Sequence, residues 1–326
     1  MASSALEHMI DPMRAVLFGY ARTALEYGYG YLGLKQGDEV LYPDLICDMM
    51  MVPCQRLGLK VRFYKVKEDL EPDLKSVERL MTKRTRAVLA VNYFGFPQDL
   101  KALKEACSSN GLYLIEDSSH GFLGKADGMA LGTRGDLGLL SFRKLVPVLN
   151  GAALLVNRAD EAAKGLEGLK RASAGLPAER RKRRLVPYLK LAQAKYGLPL
   201  GRLRRRETVI PPHGSTEGEA MDFRADEWSL SVLAGYPFEK EARRRRANYR
   251  KWVERLSGKG FRVVKELPYG AVPSSCPMFV EERDRWFSRY LRKGHEVGVW
   301  PTLPLEVWKA GGSAVSIWEK LILFPV

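Results

Sequence analysis

Short apolar runs alternate with helical segments through the first half of the chain, between residues 20 and 160. Residues 87–92 (AVLAVN) and 112–116 (LYLIE) are continuously apolar, as strands are when both faces of their sheet are covered. A helical segment over 97–110 separates them. Parallel neighbours need a crossover of about a dozen residues or more, usually a helix. The alternation therefore predicts an α/β fold with a mostly parallel sheet flanked by helices.

The other predicted elements continue this alternation. Helices are predicted over 23–34, 48–57 and 73–81, and strands over 39–42, 60–64, 138–142 and 152–157. Residues 158–220 are basic and interrupted by proline and glycine, so we predict an irregular excursion from a large domain of residues 1–220. Residues 221–326 contain a long predicted helix over 239–256, short strands and a proline-rich end, which predicts a smaller C-terminal α+β domain.

Basic residues exceed acidic ones, with 53 Lys and Arg against 38 Asp and Glu and a formal net charge of +15. Three clusters hold much of this excess, at 180–184 (RRKRR), 202–206 (RLRRR) and 243–246 (RRRR). The sequence has no zinc-finger spacing, RNA-binding aromatic motif or helix-turn-helix pattern, so nucleic acid is not the expected partner. A solvated helix face and a basic loop explain the clusters, and contact of residues 180–206 with a membrane stays open.

The four cysteines do not have the spacing of a metal site or of a disulfide framework; they are Cys47, Cys54, Cys107 and Cys276. Their pattern indicates reduced thiols, which are typical of cytosolic proteins. The first residues lack the apolar run of a signal peptide, and no stretch reaches the roughly 18 apolar residues of a membrane span. We therefore expect a cytoplasmic protein.

Three local features fall at intervals that suit one phosphate-bearing cofactor. Arg22 and Thr23 lie where a helix begins, and the free backbone N–H groups of a helix start bind anions. Asp117 and His120 follow a predicted strand, whose carboxyl end faces the ligand crevice of a parallel sheet. Lys144 follows the next predicted strand, and a lysine in apolar surroundings acts as a nucleophile on carbonyl groups.

Each feature alone has a simpler explanation, namely a helix N-cap, a capped loop and an exposed lysine. Together they match the requirements of pyridoxal 5′-phosphate: a lysine for the Schiff base, a carboxylate for the pyridinium nitrogen and a helix start for the phosphate. A nucleotide-binding dehydrogenase is disfavoured because no GxGxxG follows the first strand.

Residues 19–157 resemble the DegT/DnrJ/EryC1/StrS aminotransferases, which are sugar aminotransferases of fold-type I. The matching segments are ARTALEYGYGYLGLKQGDEVLYP, RTRAVLAVNYFGFPQDLKALKEAC, LIEDSSHGF and LGTRGDLGLLSFRKLVPVLNGAALLVN. The resemblance implies pyridoxal 5′-phosphate as cofactor and a homodimer with each active site near the subunit boundary. It also implies transfer of an amino group, from glutamate, to a nucleotide-linked keto sugar in glycan or polysaccharide biosynthesis.

The resemblance also implies a role for each candidate residue. Lys144 would form the Schiff base and act as general base and acid, and Asp117 would pair with the pyridinium nitrogen. His120 lies where the family has a glutamine or histidine that touches the cofactor ring or its phenolic oxygen. The residues implied at the phosphate are Arg22, Thr23 and Ser141.

The chain departs from the family pattern at several positions. Lys144 follows the SF pair as SFRK, closer than in many members, and Cys47 lies where many relatives have an aromatic residue that stacks on the cofactor ring. Asp222 lies where the partner subunit of relatives supplies an asparagine, and an acid near the phosphate would oppose binding. Both ends are shorter than in relatives, so we expect a truncated C-terminal domain.

Two alternative functions stay open at this point. Some relatives use the same cofactor for sugar dehydration, but a histidine replaces the lysine there, so Lys144 disfavours this alternative. A non-catalytic or altered-activity relative would keep the fold as a binding or regulatory protein, and the short ends, Cys47 and Asp222 favour it. Three aromatic residues would either line the crevice or pack in the core: Tyr93, Phe94 and Trp300.

Overall fold

A seven-stranded sheet organises the large part of the chain, of which the computed structural model describes residues 10, 11, 13–158, 162–179 and 222–326. In chain order the strands are β1 (Ala15–Phe18), β2 (Glu39–Pro43), β3 (Lys60–Tyr64), β4 (Thr85–Val91), β5 (Tyr113–Asp117), β6 (Lys125–Ala126), β7 (Met129–Ala130), β8 (Leu137–Ser141) and β9 (Ala152–Val156). The strands β6 and β7 form a separate two-stranded hairpin, and the others form the sheet.

The sheet is mostly parallel, which confirms the predicted fold class. Its order is β1-β9-β8-β5-β4-β2-β3, and β9 runs antiparallel to both of its neighbours. The direction of β9 follows from the loop before it, because residues 142–151 are too few for a parallel crossover. The sequence pattern does not predict β1, since its four apolar residues, AVLF, are too few to show a period.

The helices pack around this sheet and around a second sheet in the C-terminal part. In the described residues they are α1 (Ala21–Tyr31), α2 (Val52–Leu57), α3 (Leu74–Leu80), α4 (Lys101–Ser109), α5 (Ala162–Ala174), α6 (Glu227–Ala234), α7 (Phe238–Leu256), α8 (Arg283–Arg292), α9 (Leu305–Ala310) and α10 (Ser313–Lys320). Asp73 caps α3 by accepting a hydrogen bond from the N–H of Ser76 (3.3 Å). Gly58 ends α2 in the left-handed region, with a φ of 65°.

The helix predicted over 97–110 starts late in the structure, at Lys101. The residues before it make other hydrogen bonds, since the N–H of Gln98 donates to Oδ1 of Asn92 (2.9 Å). Side-chain acceptors therefore hold this backbone outside the helix.

The helix α5 corrects the prediction that residues 158–220 are irregular. Gly165 and Gly168 lower its helix propensity, but Leu166 and Leu169 are buried, and α5 packs against β1 and α1. Tertiary packing thus outweighs local propensity here. The basic clusters at 180–184 and 202–206 lie outside the described residues, as does the predicted domain boundary at 220.

A second sheet of four strands lies in the C-terminal part of the chain. Its strands are β10 (Arg262–Val263), β11 (Ser275–Phe279), β12 (Gly298–Val299) and β13 (Leu321–Pro325). They pair antiparallel in the order β10-β11-β13-β12, and with α6 to α10 they give the α+β arrangement predicted from sequence. Phe96 meets Tyr249 of α7 edge to face at 5.9 Å, so one apolar core joins both sheets.

The C-terminal part contacts the large sheet at the carboxyl ends of its parallel strands. The N–H of Ser274 donates to the carbonyl of Phe94 (2.8 Å), just after β4. Arg245 Nη2 of α7 donates to the carbonyl of Leu145 (3.0 Å), just after β8. Among the described residues, no helix combines the length and the apolar character that crossing a membrane requires.

Candidate active site

Two strands bring separate candidate segments to one edge of the sheet. Phe18, at the end of β1, and Ser141, at the end of β8, both lie opposite Ala152 of β9. The segments that follow them, residues 19–23 and the 3-10 turn Phe142–Lys144, therefore begin at the same level. The predicted anion site and the predicted lysine site are thus parts of one edge.

Lys144 has protein atoms close around it, although its side chain is still exposed to solvent. Its Nζ is 2.7 Å from Nε2 of His120. Burial lowers the pKa of the Lys144 ammonium; Asp117 and Cys47 oppose this shift without cancelling it, and Arg143 adds to it. The amine is therefore uncharged at a lower pH than in an ordinary lysine, and the uncharged form is the nucleophile.

The loop that carries Lys144 is closed by its own backbone. The N–H of Phe142 donates to the carbonyl of Gly151 (2.9 Å), and the N–H of Leu145 donates to that of Phe142 (3.1 Å). Because the 3-10 turn follows β8 directly, the short SFRK spacing still brings the lysine to the edge of the sheet.

His120 is held on two sides by aromatic rings. Its ring stacks on that of Phe94, with centroids 5.9 Å apart and planes 12° apart, and it meets Trp300 edge to face at 5.5 Å. Its Nδ1 accepts a hydrogen bond from the N–H of Phe94 (3.4 Å). Burial is the main cause that holds the pKa of His120 well below its usual value, and a positive charge on Lys144 would lower it further. The imidazole is therefore uncharged at neutral pH.

Asp117 is the last residue of β5 and is 5% exposed. Its Oδ1 accepts a hydrogen bond from the N–H of Ser119 (2.9 Å), which fixes the carboxylate at the strand end. Its negative charge acts on Lys144, so the two residues share one site. The structure thus brings together Lys144, His120 and Asp117, as predicted, and their roles in catalysis stay predictions.

The neighbouring acid, Glu116, belongs to a buried network that the sequence pattern does not indicate. Its Oε1 accepts hydrogen bonds from Asn92 Nδ2 (2.8 Å) and from Arg134 Nη2 (2.6 Å) and Nε (2.9 Å), and its Oε2 accepts one from the Arg134 N–H (2.8 Å). Glu116 is 0% exposed and Arg134 7%. Asn92 directly follows β4 and Glu116 lies in β5, so the network joins the carboxyl ends of two neighbouring strands. A polar residue directly after an apolar strand is the one signal that could have identified Asn92.

The other end of the site is rich in positive charge. The guanidinium groups of Arg22 and Arg143 lie 5.9 and 5.3 Å from the ring centroid of Tyr20, at the start of α1. Burial and the charge of Arg143 lower the pKa of Arg22. Thr23 lies in the first turn of α1 and is buried, as is Ser141. Two guanidinium groups and a helix start form a suitable site for a phosphate.

Two departures from the family pattern have clear positions. Cys47 is half-buried close enough to interact with Lys144 and Arg22, and burial raises the pKa of its thiol to about 11, so it is protonated at neutral pH. Asp222 forms an ion pair with Arg56 (2.7 Å), which offsets the negative charge that was expected to oppose a phosphate.

The three candidate aromatic residues form one cluster beside His120. Tyr93 is buried and donates its hydroxyl to the carbonyl of Leu45 (2.8 Å), so it packs in the core. Phe94 and Trp300 contact His120 directly. The indole N–H of Trp300 has no hydrogen-bond partner within the described part of the chain. Trp300 therefore brings the C-terminal part of the chain into the site.

These residues fit pyridoxal 5′-phosphate. Lys144 provides an amine with a lowered pKa, and Asp117 provides a buried carboxylate. The start of α1, together with Arg22 and Arg143, provides a site for the phosphate. No group of three or more His, Cys, Asp or Glu side chains suited to a metal ion occurs in the ranges that the structure describes.

The sheet, with a lysine after one strand and a carboxylate at the end of its neighbour, defines a pyridoxal-phosphate enzyme fold of type I. The profile of the DegT/DnrJ/EryC1/StrS aminotransferase family matches residues 5–186, more than half of the chain. The chain therefore belongs to this family, whose members use pyridoxal 5′-phosphate.

Several named proteins are similar to this chain in sequence or in structure. A GDP-perosamine synthase of Vibrio cholerae is 33% identical over 120 residues, which are 36% of this chain and 33% of that protein. A GDP-4-keto-6-deoxy-D-mannose 3-dehydratase of Yersinia pseudotuberculosis is 30% identical over 126 residues, 38% of this chain and 32% of that protein. The crystal structure of S. venezuelae DesV in complex with a ketimine intermediate has a TM-score of 0.72 at 22% identity, and the match covers 96% of this chain and 79% of DesV. The matched regions span about a third of these two curated relatives, and the structural likeness supports the fold.

Proposed function

We propose that this chain is a pyridoxal-phosphate-dependent aminotransferase that moves an amino group from glutamate to a keto sugar linked to a nucleotide. The observation that carries the proposal is the position of Lys144, with its lowered pKa, beside His120 and within reach of the charge of Asp117. Membership of an aminotransferase family supports the reaction type. The names of the relatives, which refer to GDP-linked sugars, support the substrate class.

Each residue of the site would have a distinct task in this reaction. Pyridoxal 5′-phosphate, when bound, supplies an electron sink for the negative charge that develops at the substrate carbon. Lys144 would hold the cofactor through Nζ and, once displaced by the amino donor, would use Nζ to move a proton from the donor carbon to the cofactor carbon. Asp117 would hold a proton on the pyridinium nitrogen. The α1 start, Arg22 and Arg143 would bind the phosphate.

The proposal also includes the oligomeric state, the location and the pathway of the enzyme. A homodimer would place each active site near the subunit boundary, as the family resemblance implies. A nucleotide-linked sugar carries a diphosphate, and a chain with a net charge of +15 attracts such an anion. We place the enzyme in the cytoplasm, in glycan or polysaccharide biosynthesis.

The test is the absorption spectrum of the purified protein with added pyridoxal 5′-phosphate, before and after glutamate. We expect a band of the lysine-bound cofactor that glutamate converts to the amine form. Lys144→Ala should abolish both the band and turnover while leaving the fold intact. Lys101→Ala is the matched control, since Lys101 is exposed at the start of α4. Normal turnover by Lys144→Ala would overturn the proposal.

The same experiment separates the alternatives. A band that glutamate leaves unchanged would point to another amino donor. Product analysis with an added nucleotide-linked keto sugar completes the test: a keto-deoxy sugar released without amino transfer would point to dehydration, the activity named for the Yersinia pseudotuberculosis relative. A folded protein with no band at all would favour the non-catalytic alternative.

A further inference from the structure

The hydrogen-bond partners of His120 determine where its proton lies. Its ring is fixed by stacking on Phe94 and by the edge of Trp300, so both of its nitrogens have defined neighbours. Phe94 has a positive φ of 55° and Gly95 one of 86°, in the turn Tyr93–Gly95. This turn presents the N–H of Phe94 to Nδ1 of His120 at 3.4 Å. A backbone N–H can only donate, so Nδ1 must accept.

An imidazole that accepts at Nδ1 and is uncharged carries its proton on Nε2. Nε2 of His120 is 2.7 Å from Nζ of Lys144. The Nε2–H therefore points at Nζ, and Nζ can accept only if it has a lone pair. A lysine amine has a lone pair when it is uncharged and none when it is an ammonium.

A charged Lys144 is incompatible with one of the two contacts of His120, either with Nζ of Lys144 or with the N–H of Phe94. If Lys144 were an ammonium and donated to Nε2, the proton of His120 would lie on Nδ1 and would face the N–H of Phe94. If both side chains were charged, two cations would be 2.7 Å apart, with the N–H of Phe94 still facing a protonated Nδ1. An uncharged histidine beside an uncharged lysine is the arrangement that satisfies all three groups.

The charged groups around Lys144 and His120 do not change the conclusion that both side chains are uncharged. Asp117 favours the ammonium form of Lys144, and Cys47 does so only when its thiol has lost its proton. Burial and Arg143 disfavour the ammonium, and the pKa of Lys144 is lowered overall. Around His120, burial is the largest cause of the lowered pKa and does not depend on the charge of Lys144, and the ring neighbours Phe94 and Trp300 are uncharged.

We infer that His120 is a positioning residue that keeps Lys144 an uncharged amine by directing its Nε2–H at Nζ. If the proposed function holds, this arrangement serves both halves of the proton transfer. An uncharged Nζ takes the proton from the donor carbon, and the resulting ammonium then faces a hydrogen-bond donor, which favours release of that proton to the cofactor carbon. The protonation state itself is a property of the chain alone.

The first test is a long-range 1H–15N NMR spectrum of the cofactor-free protein with 15N-labelled histidine, recorded between about pH 5 and pH 9. The chain has 4 histidines, and His120→Gln identifies the signal of interest. We expect His120 to stay in the Nε2–H form over this range without taking up a second proton. An Nδ1–H form, or titration at the ordinary histidine pKa, would overturn the inference.

The second test follows the reactivity of Lys144 toward an amine-labelling reagent as a function of pH, again without cofactor. The amide oxygen of Gln in His120→Gln can accept from an ammonium, so the reactivity midpoint of Lys144 should rise by about one pH unit or more. His295→Gln is the control, since His295 packs on Trp252 and not on the residues around Lys144. An unchanged midpoint in His120→Gln would mean that burial alone sets the pKa of Lys144. Neither test uses a substrate, so loss of the proposed aminotransferase function would leave this result standing.

Discussion

Removal of the buried charge of Glu116 should be among the most destabilising single changes in this protein. Its carboxylate accepts hydrogen bonds from Asn92 and Arg134, and the guanidinium of Arg134 is itself buried. In Glu116→Gln, a carbonyl oxygen at the Oε1 position keeps the bonds made there. The new NH2 then faces the N–H of Arg134, 2.8 Å from the present Oε2. The variant therefore loses one hydrogen bond and leaves a buried cation without its counter-charge.

Breaking one partner of a buried ion pair costs about 3–5 kcal/mol. Arg134 keeps two other acceptors, the carbonyl of Gln98 (2.8 Å) and Oδ1 of Asn92 (3.1 Å), so we expect the lower end, about 3 kcal/mol. That is roughly a hundredfold change in the folding equilibrium. The assay is urea unfolding of the cofactor-free protein. Glu68→Gln is the matched control, because it breaks an exposed ion pair with Arg262 and should cost under about 1 kcal/mol. A loss in Glu116→Gln no larger than that in the control would refute the reasoning.

Three further predictions concern other acids and a thiol. Asp117→Asn should lose most of the aminotransferase rate with little change in unfolding, because an amide oxygen can still accept from Ser119; a near-normal rate would show that another acid serves the cofactor. Burial raises the pKa of Asp44 to about 6. Between about pH 4 and pH 6 the folded chain therefore binds more protons than the unfolded chain, and the free energy of unfolding falls as the pH rises through that range. Asp44→Asn should therefore stabilise the protein at pH 7 and not at pH 4, as thermal unfolding at the two pH values would measure; an equal change at both would contradict the shift. Cys47, with its pKa raised to about 11, should react with iodoacetamide more slowly than a free thiol at pH 8, as mass spectrometry would report, and rapid labelling would argue against the buried thiol.

Much of the fold is readable from the sequence because its parallel strands are continuously apolar. The strand predicted over 60–64 matches β3 in full, and the acid, histidine and lysine predicted to share a site do so. The direction of β9 depends on loop length rather than on apolar pattern. The helix α5 depends on packing that outweighs its glycines.

The contacts within the site are harder to predict because they join distant parts of the chain. Arg134 reaches Glu116 from a loop, and Trp300 meets His120 from the C-terminal part. Neither pair has a fixed spacing in sequence, so no local sequence pattern predicts these contacts. The tautomer of His120 depends on the N–H of Phe94, and only the backbone turn at that residue reveals this contact.

The short connection between β8 and β9 has a consequence for the order in which the site is assembled during folding. Ser141 pairs with Ala152, and the loop between them closes with hydrogen bonds of its own. Contacts that are close in sequence form fastest, because little chain entropy is lost in making them. A chain synthesised only to residue 157 already contains these closing partners, so the lysine acquires its backbone geometry early. Arg245, which donates to the carbonyl of Leu145, lies 100 residues further along the chain, so the loop can form during synthesis before this last support exists.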